Sequence, residues 1–164
     1  MILIAYDGSE DAKAAIDCVA ALSQTPGRET TVLTVWERLA DVLARTGASF
    51  AGGGAIGDSA EIDRESEEAA QQIAEEGAAR ANAAGLKARA TTRPRDGSID
   101  AAILEEGDAL DAEAIVLGTR GLTGVKSILL GSVSHAVAQH ADRPVLVAPS
   151  AAVAERRREH RPAG

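Results

Sequence analysis

A chain of 164 residues with a formal net charge of −8 and a pI of about 4.9 is large enough for one domain with its own core. Its acidity argues against nucleic acid as a partner, because binding a phosphate backbone draws on Lys and Arg. Aromatic residues make up only 2% of the chain, so the core must come from Ala, Val, Ile and Leu with close helix–sheet approach.

Met1 to Tyr6 is a nearly continuous apolar run, which suits a parallel strand buried on both faces. It enters the strand without a charged leader, and no apolar run in the chain approaches the ~20 residues of a membrane span. A cytoplasmic protein with no membrane contact is expected. Asp7-Gly8 makes a turn, and Ser9 is placed to cap a helix whose first turn holds Glu10 and Asp11. Ala12, Ala15, Ile16, Val19 and Leu22 recur at helical spacing. The same helix carries Cys18, the sole cysteine, which excludes an internal disulfide.

Thr30 to Trp36 is rich in β-branched residues and reads as a second strand. A short helical start at Leu39 to Ala44 precedes a glycine-rich loop from Gly47 to Gly57, either a lid or a solvated insertion. A long helix runs from Asp58 or Ser59 to about Ala84, with Ile62, Ala69, Ile73, Gly77, Ala81 and Ala84 along one face, and Gly85 stops it. Leu86 to Thr92 is a third strand, Gly97-Ser98 opens another helix, and Glu113 to Leu117 is a fourth strand. A helix from Ser132 to Gln139, with Ser132 as a candidate cap, leads through Pro144 to a last strand at Val145 to Ala148. Strands alternating with helices predict an α/β domain, a parallel sheet doubly wound with helices on both faces. The polar tail from Ser150 to Gly164 lacks an apolar face and is expected to be disordered.

The fourth strand leads into Gly118 to Ser134, GTRGLTGVKSILLGSVS. A strand, a glycine-rich loop and a helix start in that order build an anion site: glycines admit close backbone approach, and the first helical N–H groups lack partners and sit at the positive end of the dipole. Two phosphate motifs are excluded. Val125 stands between Gly124 and Lys126, where a Walker A loop needs Gly followed directly by Lys, and no GxGxxG occurs. What remains is Gly-x2-Gly-x9-Gly-Ser at Gly118, Gly121, Gly131 and Ser132.

With Ile2-Leu3-Ile4-Ala5-Tyr6-Asp7-Gly8-Ser9 before it and Arg143-Pro144-Val145-Leu146-Val147-Ala148-Pro149 after it, this spacing resembles the ATP-binding branch of the universal stress protein family over residues 1–149. The resemblance implies five strands in the order 3-2-1-4-5, a Rossmann-like fold of the adenine nucleotide alpha hydrolase type. The switch point then lies between the first and fourth strands. It also implies an ATP site. Ala5, Tyr6 and Asp7 would border the adenosine, Tyr6 narrowing the adenine side where the family commonly has a small aliphatic residue. Val35 would meet the adenine edge through its backbone. Leu117, Gly118, Arg120 and Gly121 would line the ribose and first phosphates. Gly131, Ser132, Val133 and Ser134 would hold the phosphates through N–H groups and hydroxyls, with any Mg2+ carried mainly by the phosphates.

The resemblance further implies a homodimer paired through Val145, Leu146 and Val147, which form an apolar edge needing cover. The function implied is a nucleotide-dependent stress-response sensor or partner-binding module with a protein partner not named by the sequence. A slow ATPase or phosphotransferase is the second reading. A dimeric interaction protein binding AMP, cyclic AMP or no nucleotide is the third. No catalytic residue or protein metal ligand is assigned, since no general base, Walker lysine or acidic pair stands near the phosphates.

Overall fold

The computed structural model describes residues 1–23, 26–46, 56–121 and 130–159, with backbone alone at 56–58. Its strands are β1 (Ile2–Ala5), β2 (Glu29–Trp36), β3 (Lys87–Pro94), β4 (Ala114–Gly118) and β5 (Val145–Ala148). Its helices are α1 (Glu10–Leu22), α2 (Leu39–Thr46), α3 (Ile56–Ala83), α4 (Ile99–Ala109), α5 (Ser132–His140) and α6 (Ala151–Glu159). The strands form one sheet in the order β3-β2-β1-β4-β5, every pair parallel.

The pleat divides the core in two. Ile4, Tyr6, Val32 and Val116 pack with Ala12, Ala15, Ile16 and Val19 of α1 and with Ala78 and Ala81 of α3. Leu3, Leu33, Ile115 and Leu117 face the other way, onto Ile103 of α4 and Val137 of α5. Both faces of β1 and β4 are buried, which is why these two strands read as continuous apolar runs. The small residues of α1 and α3 set how closely those helices approach. A Cβ built on Gly77 would lie 2.8 Å from Tyr6 Cδ1 and 2.9 Å from Val32 Cγ1, so the tyrosine ring occupies the space that this glycine leaves.

Three expectations need correction. The inward stripe of α3 is Ala70, Ala74, Gly77, Ala78 and Ala81, whereas Ile62, Ala69 and Ala84 are exposed. In an alanine-rich helix, composition does not fix the phase of the buried face, and the fit of Gly77 over Tyr6 does. The tail is ordered in part: residues 151–159 form α6, with Val153 only 4% exposed. A single buried valine supplies the anchor that a search for an apolar stripe misses. The helix expected to begin at Asp58 or Ser59 begins at Ile56, so it takes in the end of the glycine-rich segment. Positions 47–55 lie outside the described residues, as does the motif spacer at 122–129.

Candidate functional site

The carboxyl ends of β1 and β4, neighbours at the switch in winding direction, bring the first residues of the chain against the glycine motif. After β1, Gly8 adopts φ +81° and the chain turns into α1. Asp7 closes the turn by accepting from the Ser9 amide at 3.0 Å, and Ser9 caps α1 by accepting from the Ala12 amide at 3.2 Å. A Cβ on Gly121 would stand 2.5 Å from Asp7 Oδ2. Asp7 and Gly121, 114 positions apart in the chain, therefore meet face to face, as the motif reading expects.

The first glycine has a different neighbour. A Cβ on Gly118 would fall 2.6 Å from the Asp11 carbonyl carbon and 2.8 Å from the Ala12 nitrogen. Gly118 is thus the point where α1 lies directly on β4, and its lack of a side chain serves packing. Gly131 is held by its own loop: its amide donates to the Thr119 carbonyl at 2.7 Å, and a Cβ there would sit 2.9 Å from that oxygen. It also serves as N-cap of α5, with no side-chain capping bond. The cap expected at Ser132 is therefore one residue earlier.

By contrast, α1 and α4 are capped by Ser9 and Ser98 and carry acids in their first turns, whereas α5 has neither. Its positive end has no side-chain acceptor from its own sequence. Ser132 is exposed and Val133 half-buried at this end. The hydroxyl of Ser134 donates to the Gly118 carbonyl at 2.7 Å and is buried. Its proton thus ties α5 to β4, leaving the amide as its donor to an anion.

The other expected residues divide by face. Ala5 and Val35 are partly buried on the α4–α5 side of the sheet, and Leu117 is buried there. The Tyr6 ring lies on the opposite side, 3% exposed among α1 and α3, so it does not narrow a cavity beside Ala5 and Val35. Its hydroxyl donates to Glu76 Oε1 at 2.9 Å, its amide donates to the Leu33 carbonyl, and its carbonyl accepts from Thr34 Oγ1. Burial, then the Glu76 carboxylate, push the phenol above its ordinary range, so it stays protonated.

Sequence reasoning missed Asp11. It is 6% exposed, accepts from Thr119 Oγ1, and has Arg120 Nε at 3.7 Å from Oδ2. Burial opposes its charge. Hydrogen bonds from Ser150 and Thr119, with the Arg120 guanidinium, outweigh that and hold the carboxyl below its ordinary value. An acid in the first turn of a helix reads as a dipole partner, and only its burial marks it out. Arg120 is drawn inward by this carboxylate, and its carbonyl accepts from Ser9 Oγ at 3.4 Å.

A parallel sheet in the order 3-2-1-4-5, with Gly118, Gly121 and the start of α5 gathered at its switch point, defines a doubly wound α/β protein. The model of the universal stress protein family matches residues 1–149. A universal stress protein from Thermus aquaticus, encoded in the QAH/OAS sulfhydrylase 3' region, is 35% identical over 146 residues, covering 89% of this chain and 96% of that one. The chain belongs to the universal stress protein family. Among solved structures, hypothetical protein MJ0577 shares the fold at a TM-score of 0.72 with 24% identity, covering 90% of this chain and 94% of that one. So does a universal stress protein in complex with cAMP, with a TM-score of 0.56, 24% identity, and 92% and 96% coverage. A family protein from Arabidopsis thaliana with AMP bound has a TM-score of 0.61, 18% identity and 92% coverage of each chain.

Proposed function

We propose that the chain binds an adenine nucleotide, ATP in the first instance, at the carboxyl ends of β1 and β4, and works as a nucleotide-dependent sensor or partner-binding module. The observation that carries this reading is the apposition of the Asp7 carboxylate and Gly121 across the switch point. A carboxylate accepts from hydroxyls, so Asp7 suits a ribose or an adenine amine, and Gly121 leaves the adjoining backbone free for close approach. The start of α5, with Gly131 as N-cap and Ser132, Val133 and Ser134 following, suits phosphate, since backbone N–H groups and the helix dipole act together there. Ala5 and Val35 supply apolar surface on the same side of the sheet as α5. Arg120 adds positive charge at the loop.

Hydrogen bonds to charged groups contribute about 1.5–3 kcal/mol each. A few of them reach roughly micromolar affinity, about −8 kcal/mol, after the cost of association. Family members with cAMP and with AMP support an adenine ligand over other nucleotides. Any Mg2+ would travel on the phosphates. We further propose a homodimer paired through the β5 edge at Val145, Leu146 and Val147, which are only partly covered within one chain.

Native mass spectrometry of the purified chain, followed by titration with ATP, AMP and cyclic AMP, tests the first proposal. Bound or micromolar ATP is the expected result. No adenine nucleotide bound at millimolar concentration overturns it. Size-exclusion chromatography with light scattering tests the second, and a monomer at every concentration overturns that.

A further inference from the structure

α2 begins three residues beyond the carboxyl end of β2, the end of the sheet that also carries Asp7 and Gly121. None of its residues is buried, although Leu39, Val42 and Leu43 stand at the spacing of one apolar helix face. Its fastenings are polar. Glu37 accepts from Arg95, in the turn after β3, and from Arg45 Nη2, in the last turn of α2, the latter at 2.9 Å. Arg38 pairs with Asp96 of the β3–α4 turn. The Leu39 amide donates to Asp63 Oδ1 of α3 at 2.7 Å.

The same segment holds two buried polar atoms that nothing answers. Trp36 Nε1, on the last residue of β2, and Asp41 Oδ2, in the first turn of α2, are shielded from solvent and find no hydrogen-bond partner among the described residues. Such an atom costs its whole desolvation, whereas an exposed ion pair contributes little. The side chains of Arg45, Arg38 and Asp96 are 54, 41 and 61% exposed. The hold on α2 is therefore close to balance. Release would solvate both orphaned atoms and forfeit pairs that water already weakens. α1 and α4 are in a different position, because they bury Ile16, Val19 and Ile103 against the sheet.

We propose that α2 is a strap with two states, seated by the contacts of Glu37, Arg38 and Asp63 and released when those contacts are screened, and that nucleotide in the crevice favours the seated state. The second clause rests on the nucleotide reading above; the first does not. Val35 and Trp36 lie just ahead of α2, so a base set against Val35 would sit at the fixed end of the strap.

Trp36 is the sole tryptophan, so its fluorescence reports on the strap. Acrylamide quenching of the full chain is followed from about 0.1 to 1 M NaCl, over which the Debye length shortens from about 10 to about 3 Å. Thermal unfolding by circular dichroism monitors the fold as a whole. Quenching should rise about twofold or more with salt while the fold stays intact. Glu37→Gln, which loses both ion pairs, should be quenched in low salt as the parent is in high salt, and salt should then add nothing. Asp41→Leu, which removes the orphaned oxygen, should be quenched less than the parent at every salt concentration. Quenching of the parent that ignores salt, or an increase in Asp41→Leu, overturns the two-state strap.

ATP at saturation should lower quenching in the parent. By reciprocity, Asp41→Leu should tighten ATP binding and Glu37→Gln weaken it, each by about twofold or more. ATP that binds and leaves quenching unchanged overturns the link to nucleotide and leaves the strap standing. A chain that binds no ATP overturns the nucleotide reading, and the salt response still decides the strap.

Discussion

The two glycines that open the motif do different work, and replacing each with alanine should separate folding from binding. At Gly118 the new methyl meets main-chain atoms of α1 at 2.6 and 2.8 Å. Real Cβ contacts essentially never fall below 3.0 Å, and a helix backbone pinned by the Ser9 cap and the Asp11 network cannot yield locally. Overpacking of this kind costs about 1–3 kcal/mol. The smaller entropy of the unfolded alanine chain offsets about 0.4–1 kcal/mol. The net loss is about 1–2 kcal/mol, a fall in Tm of roughly 2–8 °C for a domain of this size.

At Gly121 the methyl meets one atom, Asp7 Oδ2, at 2.5 Å. That oxygen ends a side chain that can rotate, at the cost of its 3.0 Å bond to the Ser9 amide. Gly121→Ala should therefore lower Tm by no more than about 6 °C, since one hydrogen bond contributes about 0.5–1.5 kcal/mol. It should weaken ATP binding by about tenfold or more, because it turns the Asp7 carboxylate away from the loop it faces. Thermal unfolding and calorimetric titration of both variants provide the comparison. A Gly118→Ala protein as stable as the parent would refute the packing argument, and a Gly121→Ala protein with parental affinity would refute the assignment of Asp7.

Tyr6→Phe removes the bond to Glu76 from a buried ring and should lower stability by about 0.5–1.5 kcal/mol in urea unfolding without changing nucleotide affinity. Affinity lost in step with stability would mean that the ring does reach the ligand. Gly77→Ala gains about 1 kcal/mol of helix propensity but drives a methyl to 2.8 Å from Tyr6, so a net loss of about 0–2 kcal/mol is expected. Adding Tyr6→Val should shrink the Gly77→Ala loss by relieving the ring contact while leaving the one with Val32 Cγ1 at 2.9 Å, and a loss of undiminished size would place the whole clash at Val32. Asp11 titrates lower in the folded chain than its ordinary 3.8, so the stability it contributes is present above that pH and is lost as pH falls through the folded value. The stability gap between the parent and Asp11→Asn should be widest near neutrality and shrink below about pH 3.8 in acid-unfolding curves; a gap independent of pH would show that the carboxylate's charge contributes nothing.

The topology was legible because β1, β4 and β5 are short apolar runs, β2 is rich in β-branched residues, and the turns announce themselves, as at Asp7-Gly8 and Gly85. The glycine motif was legible as a loop, but its inner division of labour was not. Spacing alone does not tell Gly118, which receives a helix, from Gly121, which receives a carboxylate. Both are glycines for steric reasons, against different neighbours. Asp11 and α6 escaped notice for a shared reason. Each depends on one residue buried by distant parts of the chain: a carboxylate answered by Thr119 and Arg120, and a valine in an arginine-rich helix. Periodicity detects stripes, and neither of these is one. Ser134 shows the same limit at the scale of one atom. Its hydroxyl suits an anion in sequence and is bonded to Gly118 in the structure.

The two edges of the sheet bear on what the domain does with other chains. Along β3 lie Lys87, Arg89 and Arg93, with Lys87 bridged to Glu29 at 2.9 Å and Arg93 to Glu105 and Glu106 at 2.9 and 2.8 Å. Charges along an edge oppose the docking of another strand, and here they are held in place by the neighbouring strand and by α4. The β5 edge has no such guard: its residues are Val145, Leu146, Val147 and Ala148. The outer edges of one sheet thus differ in kind, and β5 is the one an added strand would meet at least cost. The Ala148 carbonyl at the end of β5 accepts from the Thr119 amide at 3.1 Å, and the Thr119 carbonyl accepts from the Gly131 amide. A strand added at β5 would therefore lie next to the contacts that lead to Thr119 and Gly131. Pairing at this edge and loading of the glycine loop would then be linked, and each should shift the other by the same factor.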